Sequence, residues 1–187
     1  VDMRIETREA QILDAAEAAL SRYGQKRMTM DDVADVIGIS RPAVYQYYKS
    51  KTDLIKAALT RLHGRNLHEI REHLESVEMS PPRILVAMKA RTFFLYELEK
   101  GSGDENWFCD SPYAEVRELL TEMDDLFKGL VVKRLKLLGF DDADARLTSR
   151  MLTLLSEGIR RTASSRQEID DLLEQGVRRL IRRTWSD

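Results

Sequence analysis

The chain has 187 residues, 43% of them hydrophobic and 33% charged, enough to build a packed core and too apolar for a disordered chain. A single cysteine, Cys109, excludes a disulfide framework and a multi-cysteine zinc site. No apolar run approaches a membrane-spanning length and no hydrophobic leader is visible, so the expectation is a soluble cytoplasmic protein. The net charge of −2 hides an asymmetry: from residue 22 to 65 nine bases face four acids, an excess of five, so the remainder of the chain is acidic.

Ile12, Leu13, Ala16, Ala19, Leu20 and Tyr23 recur at helical spacing, and Gly24 can end that first helix. Thr29 followed by Asp32 is a capping pair that opens a short helix from about residue 30 to 37, stopped by Gly38. Ser40 is the expected cap of a third helix, with Arg41 and Pro42 in its first turn, where proline is tolerated. Ser50 and Asp53 repeat the cap pattern and open a longer helix through Leu54, Ala58 and Leu62 to about residue 74. Ser80-Pro81-Pro82 is the clearest break. It starts a fifth helix to about residue 100, followed by a loop rich in Gly, Ser, Asp and Asn from 101 to 109. Ser111-Pro112 opens a helical region ending at Gly139, Asp141 or Asp142 caps another to about 163, and Ser165 with Glu168 caps a last helix running to the C-terminus. No alternating strand pattern and no internal repeat appears, so the fold class is all-α.

Two short helices around a glycine turn make a helix-turn-helix. Its packing needs a small residue where the helices cross, a glycine in the turn and a branched apolar residue facing inward. Ala34, Gly38 and Val44 meet those needs, with Val33, Ile37 and Ile39 beside them. An ordinary helical hairpin satisfies the same spacing. The outer face of the second helix favours a DNA reader, because it offers Arg41, Ala43, Tyr45, Gln46 and Tyr47, with Lys49 and Lys51 just after. Arginine pairs with guanine, glutamine with adenine, and alanine touches a thymine methyl. Tyrosine hydroxyls and lysines suit phosphates, which fix register without reading sequence. Thr29 and Ser50 begin helices whose free N–H groups suit phosphate oxygens.

The runs Thr29-Met30-Asp31-Asp32-Val33-Ala34, Gly38-Ile39-Ser40, Tyr45-Gln46-Tyr47-Tyr48 and Lys51-Thr52-Asp53-Leu54 together resemble the N-terminal signature of the tetracycline-repressor (TetR) family. The resemblance covers about residues 9 to 58; beyond it the chain is similar only in length and helical pattern. It implies a three-helix DNA-binding domain at 1–50 joined to a larger helical ligand-sensing and dimerisation domain at 51–187. It puts Thr29, Ser40, Arg41, Tyr45, Tyr47 and Lys51 at positions that commonly contact DNA, and Tyr48 at a buried aromatic position. Pro42 departs from the small glycine often found there. The candidate DNA-binding set is Thr29, Ser40, Arg41, Pro42, Ala43, Tyr45, Gln46, Tyr47, Lys49 and Lys51.

In the body, the last helix carries a broad apolar stripe through Leu172, Leu173, Gly176, Val177 and Leu180, and the helix before it offers Leu154 and Gly158. These stripes suit the core of one subunit. The family resemblance implies instead a four-helix bundle with a second copy, so a homodimer on a palindromic operator, with these seven residues as interface candidates. The fifth helix is apolar around most of its circumference, and Arg91 falls among Ile84, Met88, Leu95 and Leu98. A charge there needs a partner, either a carboxylate of the protein or an anionic or polar effector. The candidate pocket for an unidentified small-molecule effector is Met88, Arg91, Thr92, Leu95, Tyr96, Trp107, Phe108 and Tyr113. His63, His68 and His73 are spaced by five and so point away from one another on a helix. Cys109 beside aromatics is expected to be inert, and Asp104, Glu105, Asp110, Asp124 and Asp125 fit solvated faces and caps. No cofactor, metal or catalytic constellation is expected. The function that fits best is a DNA-binding transcriptional regulator, a repressor released by a small molecule. An interaction protein with a purely structural helix-turn-helix and an enzyme in the helical body are the competitors, and the sign of the transcriptional effect is left open.

Overall fold

Cap residues decide where the helices begin in the computed structural model, which describes residues 7–75, 80–102 and 111–182. Among these residues there are eight helices and no strand: α1 (Arg8–Arg27), α2 (Met30–Ile37), α3 (Arg41–Tyr45), α4 (Lys51–Leu74), α5 (Pro81–Ser102), α6 (Ala114–Leu137), α7 (Asp142–Thr162) and α8 (Arg166–Leu180). The Thr29 hydroxyl accepts from the Asp32 N–H at 3.1 Å, and the Asp32 carboxylate accepts from the Thr29 N–H at 2.6 Å. That reciprocal box satisfies two N–H groups that a helix start otherwise leaves unpaired. Ser50 accepts from the Asp53 N–H at 3.0 Å, and Asp141 accepts from the Asp144 N–H at 2.9 Å. Ser165 caps α8 through the Glu168 N–H, but the Glu168 carboxylate turns to the N–H and hydroxyl of Ser164. The last helix stops at Leu180, short of the C-terminus.

Two glycines shape the N-terminal end. Gly24 has φ 71° within α1, so the regular helix breaks there, and the Met28 N–H returns to the Gly24 carbonyl. Gly38 ends α2 in the left-handed conformation, φ 68° and ψ 38°, which only glycine adopts without a side-chain penalty.

The chain packs into two compact units, one formed by Val1–His63 with Glu97–Thr121 and the other by Gly64–Tyr96 with Glu122–Asp187. The dividing lines fall inside α4, α5 and α6, so the first unit takes in more than residues 1–50. Its core includes Ile12, Ala16 and Leu20 of α1, Val33 and Ala34 of α2, Val44 of α3, and Leu54, Ile55 and Ala58 of α4. The second unit is built on Ile84 and Met88 of α5, Phe127, Val131 and Leu135 of α6, Leu152 and Ile159 of α7, and Ile169, Leu173 and Val177 of α8. Each fully buried side chain of this size contributes about 1.5–3 kcal/mol. No helix among the described residues is long and apolar enough to cross a membrane.

Candidate nucleic-acid interface

The α2–α3 unit separates its residues by face. Val33, Ala34 and Val44 are buried, and Tyr48 is 8% exposed. Thr29, Ser40, Arg41, Pro42, Tyr45, Gln46, Tyr47 and Lys49 are exposed, while Ala43 and Lys51 are half-buried. The regular part of α3 is only five residues long. Gln46 and Tyr47 lie in the turn beyond it, held on the same winding by Gln46 N–H to the Ala43 carbonyl at 3.3 Å and Tyr47 N–H to the Val44 carbonyl at 3.0 Å. Tyr48 is anchored inward. Its hydroxyl donates to Glu9 at 3.3 Å, and burial, with Glu9 adding to it, pushes its pKa up to about 12.

Ser40 precedes α3 as expected, yet its side chain makes no cap hydrogen bond. The reason is local. A cap hydroxyl bonds the second or third N–H of the helix. Here Pro42 has none, and Ala43 gives its N–H to the Ser40 carbonyl at 2.9 Å. The expected capping role of the Ser40 side chain is therefore corrected.

Four of the expected DNA contacts, Thr29, Arg41, Tyr45 and Lys51, are already engaged within the chain. Arg41 Nη1 donates to Asp31 Oδ2 at 3.0 Å, and Nη2 donates to the Tyr45 hydroxyl at 3.4 Å. The Tyr45 hydrogen bond, then the Asp31 charge, raise the Arg41 pKa. Lys51 Nζ donates to the Lys26 carbonyl at 3.0 Å and stands 5.7 Å from the Tyr113 ring centroid. Arg61, one of the nine bases, is ion-paired with Asp14 and Glu17. The positive excess available at this surface is thus smaller than the sequence count. The sequence alone gives Asp31 no role, since an acid in the first turn of a helix is ordinary.

In the second unit Arg91 is 7% exposed. Its Nη2 donates to Asp124 Oδ1 at 2.7 Å, and its guanidinium carbon lies 4.5 Å from the Phe127 ring centroid. Burial pulls its pKa down, Asp124 opposes that, and Arg160 adds to it. Met88 and Leu95 are buried; the Thr92 hydroxyl lies 2.7 Å from both the Met88 carbonyl and the Ser156 hydroxyl. Tyr96 is half-buried. Tyr113 belongs to the first unit, where it faces Lys51. Trp107 and Phe108 lie outside the described residues, as do Cys109, Asp104, Glu105 and Asp110. Two open grooves on the second unit, of about 990 and 660 Å³, are lined by α6 with α7 and by α6 with Arg71. Neither is lined by the candidate pocket residues.

The interface candidates divide. Leu154 and Leu172 are 57% and 40% exposed. Gly158 opens onto empty space, and Leu147 and Met151 continue its face of α7, both exposed. Leu173 and Val177 are fully buried in their own unit, so they cannot touch a second copy. Gly176 abuts Leu155, and Leu180 packs on the core. The outward face is narrower than the apolar stripe, because most of the stripe holds α8 against its own unit. Among the described residues no group of three or more His, Cys, Asp or Glu side chains is placed to hold a metal; His63 is buried and His68 pairs with Glu72.

With this geometry in view, residues 12–58 match the family model of bacterial regulatory proteins of the tetR family. Over that N-terminal segment the chain is similar to the tetR family. Two tetR-type relatives, both from Pseudomonas putida, are each 38% identical over 76 residues: the probable HTH-type transcriptional regulator ArpR and the HTH-type transcriptional regulator TtgR. Each match takes 41% of this chain and 36% of the relative, so it spans little more than a third of those proteins. The crystal structure of a TetR transcriptional regulator from Legionella pneumophila has a TM-score of 0.74 at 19% identity, over 98% of this chain and 100% of that one. That likeness is one of tetR fold.

Proposed function

We propose that the chain is a sequence-specific DNA-binding transcriptional regulator, a repressor that a small-molecule effector releases from its operator. The observation that carries this reading is the two-faced turn after Gly38. Val44 and Tyr48 are buried, while Arg41, Tyr45, Gln46 and Tyr47 face solvent in a segment that matches the tetR family model. Exposed arginine and glutamine are the residue types that read base edges, and the tyrosines and Lys49 suit phosphates. Residues 1–50 carry the reading head and residues 51–187 the sensing and dimerisation functions.

The chain acts as a homodimer through the exposed face of α7 and α8 around Leu154, Gly158 and Leu172. Two-fold symmetry then sets two heads about 34–36 Å apart on a palindromic operator. Effector binding involves Met88, Arg91, Thr92, Leu95 and Tyr96 of the second unit, and it favours the conformation that holds DNA poorly.

Selection from a pool of random duplexes at two salt concentrations tests the central reading. Enrichment of a palindrome, weakened by added salt, supports it and supplies the operator. Folded dimeric protein that enriches nothing at low salt favours an interaction protein with a structural helix-turn-helix.

A further inference from the structure

Asp31 stands where a carboxylate works against DNA binding. It is exposed in the first turn of α2, beside the outward residues of α3, where the phosphate backbone repels it. Its partner is Arg41, the arginine best suited to read a base. The guanidinium is held from two sides: Nη1 donates to Asp31 at 3.0 Å and Nη2 to the Tyr45 hydroxyl at 3.4 Å, with the Tyr45 ring centroid 5.6 Å away. The backbone under both residues is also fixed. Asp31 lies inside the turn closed by the Thr29–Asp32 box, and Arg41 is followed by Pro42 with its locked φ. A long, rotamer-rich side chain is thereby ordered before any ligand arrives.

We propose that Asp31 is a positioning residue for base readout: with Tyr45 it holds the Arg41 guanidinium as an oriented fork for a guanine edge, so it raises sequence discrimination and lowers affinity for DNA in general. This rests on the DNA-reader function proposed above. An unrestrained arginine beside a polyanion settles on phosphate, where its charge carries no sequence information. Guanine needs two parallel N–H donors aimed at O6 and N7. Each terminal nitrogen of Arg41 bears two N–H groups and spends one on Asp31 or Tyr45, so each keeps a second for that edge. The same carboxylate repels any phosphate that would capture the guanidinium. Ordering the fork in advance also removes the entropy loss that a bidentate contact otherwise demands.

The test uses the full chain with D31N, R41K and the double variant. Binding is measured by fluorescence anisotropy, at one salt concentration, to the selected operator and to a scrambled duplex of equal length. D31N is expected to bind the scrambled duplex more tightly, because a negative charge leaves the interface. Its operator-to-scrambled affinity ratio is expected to fall by about fivefold or more, the scale of one bidentate base contact. R41K keeps the charge without the fork and should lose a similar ratio; adding D31N to it should lower the ratio no further. An unchanged ratio in D31N, with both duplexes shifted equally, overturns the proposal, since Asp31 then acts only as a charge. So does an equal weakening on both duplexes with a lowered Tm, which marks a merely structural role. Wild-type protein that prefers no duplex overturns the DNA-reader function itself, a failure distinct from the other two.

Discussion

Each unit holds an arginine–aspartate pair of similar geometry but very different burial. In the first unit, Arg41 and Asp31 meet at 3.0 Å with about half of each side chain exposed, 54% and 55%. In the second, Arg91 and Asp124 meet at 2.7 Å with exposures of 8% and 25%. Water screens the first pair, so it is worth at most about 1 kcal/mol to folding. The second pair sits in a medium that hardly screens it, and either charge alone there is costly. Exposure thus separates a contact suited to recognition from one bound up with stability, although the atoms and distances are nearly alike.

The sharpest way to break this contrast is to remove each carboxylate in turn. D124N leaves the buried Arg91 guanidinium without the carboxylate that balances its charge, and should cost about 3 kcal/mol in urea unfolding. D31N should move stability by less than about 0.5 kcal/mol while changing DNA discrimination as described above. Equal losses of stability in the two variants would mean that burial does not distinguish the pairs.

A smaller effect is expected at Gly38. An alanine there must hold φ 68°, at a cost of about 1 kcal/mol. The space around it is open, so no clash adds to this. The turn sets the angle between α2 and α3, and operator affinity should therefore fall by more than stability accounts for. Equal losses in both would make Gly38 a stability residue only.

Lys51 gives a finer comparison within the first unit. K51A should reduce the salt slope of operator binding by about one phosphate contact. An unchanged slope would leave the Lys26 carbonyl and the Tyr113 ring as the only duties of that ammonium.

Which of these features were legible in the sequence follows from how far apart their determinants lie. The caps at Thr29, Ser50, Asp141 and Ser165 were readable because donor and acceptor are three residues apart. The faces of α2 and α3 were readable too, since helical spacing alone sends Val33 and Val44 inward. Ser40 misled because a proline two residues on removes the N–H that its hydroxyl would bind. The stripe on α8 did not separate Leu172, which is exposed, from Leu173 and Val177, which are not. Adjacent apolar residues share a broad arc, and only packing within the second unit decides which of them is covered. Partners 25 to 33 residues away, such as the Lys26 carbonyl for Lys51 and Asp124 for Arg91, leave no local pattern at all.

The smallest effects lie at the ends of the pH scale, one in each unit. Asp142, exposed in the second unit, accepts hydrogen bonds from Arg146 and Lys136. These bonds, that of Arg146 foremost, hold its pKa at about 2 against an ordinary 3.8. A carboxylate more acidic in the folded chain stabilises it fully above the ordinary value, and the gain is lost as pH falls from about 4 through about 2. Tyr48 is the mirror case. Its folded pKa near 12 exceeds the ordinary 10, so its contribution is complete below pH 10 and disappears as pH rises through 12. D142N should therefore flatten the acid limb of a stability profile and leave the alkaline limb alone, while Y48F should do the reverse. Because Asp142 is exposed and Tyr48 is buried, added salt should shrink the first difference and leave the second nearly intact. A salt response common to both would show that the Tyr48–Glu9 contact is as open to water as the pair on the surface.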